Sequence, residues 1–133
     1  MKLKLDHISL EVKDFTKANK FYKALVKAAG LKRLMGGKGW VGYGNREFQL
    51  FLGVPDKPRV KRAQPTGEEF VIMDHLAFTL GSRKEVDTLA AALIKAGFKP
   101  VFPAQEYPDF GPGFYAVTFC DPSNNVLEFN FRK

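Results

Sequence analysis

Polar and apolar residues alternate strictly over 7–12. Ile8, Leu10 and Val12 fall on one side, and His7, Ser9 and Glu11 on the other. A period of two belongs to a strand with one buried face. The alternation returns at 75–80, where Leu76, Phe78 and Leu80 oppose His75, Ala77 and Thr79. After each strand the period lengthens to that of a helix. Ala18, Phe21, Tyr22, Leu25 and Ala29 form one stripe, with Asp14 or Thr16 as the cap and Gly30 as the stop. Val86, Leu89, Leu93 and Ile94 form the other, behind a Ser82-Arg83-Lys84-Glu85 capping box and ahead of Gly97. Three strand-like runs follow each helix: 31–35, 40–43 and 47–52, then 99–102, 114–120 and 125–131. Gly36-Gly37-Lys38-Gly39, Gly44-Asn45-Arg46 and Asp121-Pro122-Ser123-Asn124 supply turns between them.

The chain is thus one unit written twice. Asp6-His7-Ile8-Ser9-Leu10 recurs as Asp74-His75-Leu76-Ala77-Phe78 at an offset of 68. Ala29-Gly30-Leu31-Lys32 recurs as Ala96-Gly97-Phe98-Lys99 at an offset of 67. Two landmarks at nearly one offset indicate a duplicated β-α-β-β-β module. The expected fold is α+β: a single domain over 1–133, with module 1 at 1–53, a linker at 54–69 and module 2 at 70–133. Module 2 carries an additional loop at 104–113.

Composition narrows the classes. At 133 residues one core suffices without staples. A single cysteine, Cys120, allows no internal disulfide and no Cys-rich zinc module, and suits a reducing compartment. No apolar run reaches the ~18 residues of a membrane span, and the first residues lack a signal-peptide core. A cytoplasmic location and no membrane partner are expected. The net charge of +7 invites a nucleic-acid reading. Most basic residues are dispersed among acids at helical spacing, and the one dense run, Lys57, Arg59, Lys61 and Arg62, lies in a Pro-containing stretch. A solvated basic face is the expectation, and no nucleic-acid partner.

Polar residues inside apolar strand contexts carry the candidate chemistry. His7 and His75 open the first strand of each module; Gln49 and Glu128 lie in the last. Two modules related by a two-fold would bring the four into one sheet cup. Two neutral imidazoles and a carboxylate suit a divalent first-row metal with open positions, and Gln49 offers a weaker fourth donor. The same residues also fit plainer roles. Either histidine could be a hydrogen-bonded structural residue, Gln49 a hydrogen bonder, and Glu128 a partner for Arg46, Arg132 or Lys133. The 104–113 loop is a candidate substrate wall, with Tyr107 or Glu106 as acid/base and Tyr115 beyond it. Trp40, Arg46 and Lys38 are candidates for the opposite side. Gly36-Gly37-Lys38-Gly39 lacks the spacing of a phosphate loop.

These residues resemble the vicinal oxygen chelate, or glyoxalase/bleomycin-resistance/dioxygenase, superfamily over nearly the whole chain. The carriers are Asp6-His7-Ile8-Ser9-Leu10-Glu11-Val12, Asp14, Phe21-Tyr22-Lys23-Ala24-Leu25 and Gly30-Leu31. In the second half they are Asp74-His75-Leu76-Ala77-Phe78, Gly97-Phe98 and the run from Phe119 to Glu128. The resemblance implies two βαβββ modules in an incompletely closed eight-stranded barrel-like sheet. It implies a divalent metal (Ni, Mn, Fe or Zn) held by His7, Gln49, His75 and Glu128, with Glu128 and Tyr107 as catalytic candidates and Trp40, Arg46 and Tyr115 against a small-molecule substrate. A homodimer is implied, in which copies sometimes complete each other's cup. Isomerase, lyase or thiol-transfer chemistry on an oxygen-rich molecule is the leading expectation. A non-catalytic, antibiotic-sequestering protein and a dioxygenase are the alternatives. Two departures bear on these. Gln49 stands where a glyoxalase I usually has a second glutamate, and no third histidine remains for a dioxygenase.

Overall fold

The computed structural model describes residues 7–45, 47–54 and 75–133. Most of the expected linker, Arg46, Asp6 and Asp74 lie outside the described residues. The elements run β1 (His7–Glu11), α1 (Phe15–Ala28), β2 (Lys32–Gly37), β3 (Trp40–Gly44), β4 (Gln49–Gly53), then β5 (Leu76–Thr79), α2 (Arg83–Lys95), β6 (Pro100–Glu106), β7 (Tyr115–Cys120) and β8 (Val126–Phe131). The βαβββ unit is present twice. The eight strands form two four-stranded sheets, ordered β1-β4-β3-β2 and β5-β8-β7-β6, and they do not close into a barrel. In each sheet the first and last strands of the module pair in parallel and the others antiparallel.

The helices end where the sequence says. Asp14 caps α1, its carboxylate accepting from the Lys17 amide at 3.0 Å. That hydrogen bond is the main reason its carboxyl lies below the usual range. Ser82 caps α2 by accepting from the Glu85 amide, and the Glu85 carboxylate accepts from the Gly81 amide one residue outside the cap. Gly30 and Gly97 take positive φ just past the helices. Two stripe positions differ from expectation: Ala29 and Ile94 are exposed, and Val26 and Ala90 are buried in their place. The 104–113 segment is also less of a loop than expected. Its first residues continue β6, pairing Gln105 with Ala116 and Glu106 with Tyr115, and a short 3-10 turn follows at Pro108–Phe110.

Each sheet turns its apolar side to the helices. Leu10, Val12, Leu50 and Leu52 from one sheet and Val117, Phe119, Leu127 and Phe129 from the other join Phe21, Tyr22, Leu25, Val86, Leu89 and Leu93 in one core. Edge-to-face rings join the modules: Phe21 with Phe98 at 4.9 Å and Phe48 with Phe78 at 5.5 Å. Full burial of each such side chain stabilises by about 1.5–3 kcal/mol.

The Asp-Pro-Ser-Asn-Asn turn before β8 fastens the modules together. Asp121 is 2 % exposed. One of its oxygens accepts from the Ser123 and Asn125 amides at 2.7 and 2.8 Å. The other accepts from the Tyr22 hydroxyl and the Asn125 side chain, both at 2.8 Å. Module 1 answers from the end of β1 and the residues just after it: the Lys13 amide donates to Ser123 Oγ, and Asn125 Nδ2 donates to the Glu11 carbonyl. Asn124 takes φ 68, a left-handed conformation that asparagine tolerates.

Candidate functional site

With one face of each sheet on the helices, the other forms a cup. The module 1 cup, about 320 Å³, is lined by His7, Ser9, Trp40, Gln49, Phe51, Leu52 and Gly53. The module 2 cup, about 550 Å³, contains His75 and Glu128 among apolar side chains. The two linings share no residue. His7 and Gln49 therefore line one cup, and His75 and Glu128 the other. Among the described residues, no three His, Cys, Asp or Glu side chains converge. The expected four-residue cluster is not assembled within one chain.

In module 2, strand alternation puts His75, Ala77 and Thr79 on the cup side of β5, and Val126, Glu128 and Asn130 on the cup side of β8. Glu128 pairs in register with Ala77, which is two residues on from His75. Glu128 is held from below. Asn130, 5 % exposed, donates to Glu128 Oε1 at 2.7 Å and accepts from Thr79 Oγ1 at 3.1 Å. A buried amide that orients a carboxylate in this way is the support a metal-ligating or proton-transferring carboxylate requires.

In module 1, His7 pairs in register with Gln49 and Ser9 with Phe51. The 68-residue offset carries Ser9 onto Ala77, whose partner is Glu128. Phe51, not Gln49, is therefore the register equivalent of Glu128, and Gln49 lies one pleat away beside His7. The Phe51 ring meets His7 edge-on at 5.5 Å. It lies across Gly42, where any Cβ would come within 2.6 Å of the ring. Aligning Leu50-Phe51-Leu52 with Leu127-Glu128-Phe129 reveals this equivalence in the sequence. The longer β6–β7 connection of module 2 hides it from a constant offset.

The remaining candidates divide. Tyr107 lines the module 2 cup, and its hydroxyl donates to the Pro103 carbonyl at 2.9 Å. Trp40 lines the module 1 cup. Tyr115 lines neither; its hydroxyl donates to Asp87 of α2 at 2.7 Å, and that bond raises its pKa. Glu106 pairs with Arg83. Glu128 is held by Asn130, and Arg132, one of three possible partners the sequence offers it, stacks on Phe114. Lys38 sits in the exposed turn between β2 and β3, and Arg46 lies outside the described residues. Phe110 of the expected wall lines the module 2 cup, as does Phe114 just beyond it; sequence reasoning missed Phe102 beside them, and Asn130 and Thr79 beneath Glu128.

The described helices include none long and apolar enough to cross a membrane. No curated protein sequence matches the chain. Solved structures share its fold. A glyoxalase/bleomycin resistance protein from Albidiferax ferrireducens superimposes with TM-score 0.71 at 20 % identity, covering 97 % of this chain and 98 % of that one. A lactoylglutathione lyase from Agrobacterium tumefaciens gives TM-score 0.68 at 20 % identity, covering 96 % and 92 %. A glyoxalase/bleomycin resistance protein/dioxygenase family enzyme from Burkholderia phytofirmans gives 0.71 at 17 %, covering 98 % and 100 %. The sequence profile of the family matches residues 4–129. Repeat, paired open sheets and profile agree over the same residues, and the chain belongs to the Glyoxalase/Bleomycin resistance protein/Dioxygenase superfamily.

Proposed function

We propose that the protein is a metal-dependent enzyme acting on an oxygen-rich small molecule, with its site shared between two copies of the chain. The observation that carries this reading is that His75 and a braced Glu128 line one apolar cup, while His7 lies in the separate cup of the other module. One chain offers two good donors in one place and a third elsewhere. A two-fold dimer that sets the module 1 cup of one copy against the module 2 cup of the other supplies two imidazoles and a carboxylate. Gln49, beside His7 on β4, is the fourth donor in reach of that histidine.

The exposed apolar residues support such a pairing. Leu34 and Met35 on β2, and Val101 and Phe102 on β6, are 43–56 % exposed and occupy equivalent positions at an offset of 67. Apolar side chains repeated on both module edges are the kind of surface an isologous interface covers.

The donor set fits a borderline divalent ion such as Ni, Mn, Fe or Zn. When bound, the ion would polarise vicinal oxygens and stabilise an oxyanion or enolate. The rest falls to the protein. Asn130, itself held by Thr79, fixes one oxygen of the Glu128 carboxylate on the cup wall. Glu128 is the sole carboxylate lining either described cup, so one group serves as ligand and as acceptor of a substrate proton. Tyr107, on the cup wall, is the second proton-transfer candidate. The chemistry proposed for these parts is isomerase, lyase or thiol transfer, and the proposed setting is cytoplasmic. Binding without turnover is the competing reading, favoured by how apolar the cup is; a dioxygenase is the other.

The test is metal content. Protein dialysed against each divalent ion should retain it in proportion to intact sites, and His75→Ala and Glu128→Gln should each abolish retention while circular dichroism stays unchanged. If wild type retains no more metal than these variants, the enzyme reading falls and sequestration replaces it.

A further inference from the structure

The net charge of +7 is not spread over the fold. Residues 13–38, which include α1 and β2, hold eight Lys and Arg against the single Asp14, and the rest of the chain holds thirteen of each sign. The whole excess therefore lies on one helix and the strand after it. Bases dispersed among acids describes α2, where Glu85 and Asp87 accompany Arg83, Lys84 and Lys95. It does not describe α1, which contains no acidic residue. The inner side of α1 is Ala18, Phe21, Tyr22, Leu25 and Val26, all buried. At about 3.6 residues per turn, Lys17, Lys20, Lys23 and Lys27 fall within an arc of about 120° on the other side, over about 15 Å of helix axis. All four are exposed. Lys17 pairs with the exposed Asp14 cap at 3.5 Å, and Lys20 lies 6.0 Å from the Phe98 ring. Among the described residues, no ion pair holds Lys20, Lys23 or Lys27.

We propose that the outer face of α1, with Arg33 beside it, is a contact surface for the phosphate backbone of double-stranded nucleic acid. α1 covers the apolar side of its sheet, so this face points away from the cup on the sheet's other side. Its partner is therefore not the ligand of the cup, and the surface does not depend on whether a metal binds. Closely spaced lysines with few ion pairs to break release counterions from a polyanion, which drives such binding. Lysine is a point charge on a flexible stem and meets phosphates in many orientations. Arg33 extends the face from β2: its charge reaches the Tyr43 hydroxyl, which donates to Asn19 of α1 at 2.7 Å. Thr16 and Ala24 fill the remaining positions and offer no ring to stack on a base. The contact should therefore follow the backbone rather than the sequence. A bilayer surface fits less well. A helix lying on a membrane sinks its apolar side among the headgroups, and that side of α1 is only 0–6 % exposed, packed in the core.

Fluorescence anisotropy on the full chain, with two labelled duplexes of about 20 base pairs and unrelated sequence, tests this over salt from about 25 to 200 mM. Both duplexes should bind with a Kd of about 1–100 µM at low salt, within about threefold of each other. The logarithm of affinity against the logarithm of salt should fall with a slope of about −4, for four or five phosphates neutralised. Lys20→Gln, Lys23→Gln and Lys27→Gln together keep helix propensity. This triple variant should bind at least about tenfold more weakly, with a slope shallower by about 3. Lys84→Gln, Lys95→Gln and Lys133→Gln remove the same charge elsewhere and should change affinity less than about threefold. No duplex binding, a wild-type slope shallower than about −2, or equal losses in the two triple variants would overturn the proposal. Tighter binding to phosphatidylserine vesicles or to poly-glutamate than to the duplex would also overturn it, in favour of a membrane or an acidic protein. The wild-type slope needs no variant, so it decides even if the first triple variant fails to fold by circular dichroism. His75→Ala should bind the duplex as wild type does, whatever its metal content; a loss there would move the contact to the cup and overturn the proposal.

Discussion

Asp121→Ala should be among the most damaging single substitutions in the protein. It removes the acceptor of four hydrogen bonds at 2.7–2.8 Å. Hydrogen bonds to a charged partner contribute about 1.5–3 kcal/mol each. The turn amides and the Asn125 side chain are part-buried and can recover water, so their loss is partial. The Tyr22 hydroxyl is buried and cannot, which leaves a desolvation cost of about 1–3 kcal/mol. The sum is about 3–5 kcal/mol, a fifth or more of a typical domain stability of roughly 5–15 kcal/mol. Tyr22→Phe deletes one bond and leaves no buried hydroxyl, so it should cost about 1–2 kcal/mol. The two side chains touch, so the double variant should be less damaged than the two losses added, by about 1 kcal/mol or more. Urea unfolding followed by circular dichroism measures all three. If Asp121→Ala costs under about 1 kcal/mol, or the pair adds within about 0.3 kcal/mol, the turn is not the fastening described.

The same tyrosine makes a pH prediction. Burial first, then the Asp121 charge, raises the Tyr22 pKa well above its ordinary 10.0. The folded state therefore holds a proton that the unfolded state releases, and stability should fall as pH rises past about 10, with a shallower fall in Tyr22→Phe. Asn130→Leu should keep the fold and weaken metal retention about 10- to 100-fold, measured by equilibrium dialysis, because Glu128 loses its brace. Gly42→Ala puts a Cβ within 2.6 Å of the Phe51 ring and should cost about 1–3 kcal/mol in urea unfolding.

Much of this architecture is legible in the sequence because local rules agree with the fold. Period two at β1 and β5, caps at Asp14 and Ser82, and glycines after both helices all appear where expected. The repeat gives the module and flags both histidines. What the sequence hides is register and assembly. Gln49 looks like the partner of Glu128 because both are polar between apolar neighbours; strand pairing puts Phe51 at that place, and the longer β6–β7 connection masks the equivalence from a constant offset. Tyr115 looks like part of a loop wall, but β7 begins there and turns its hydroxyl to Asp87. The separation of His7 from His75 and Glu128 depends on how two sheets pack, which no short-range pattern encodes.

The central claim is that the metal site is completed across two copies, and mixing variants tests it directly. His7→Ala and His75→Ala chains are each expected to retain no metal alone. Unfolded together and refolded at equal amounts, about half of the dimers should be mixed, each with one site that joins the intact His7 of one copy to the intact His75 and Glu128 of the other. Metal retention should return to about a quarter of the wild-type value. If the mixture retains no more metal than either variant alone, the site does not span two chains and the account is wrong.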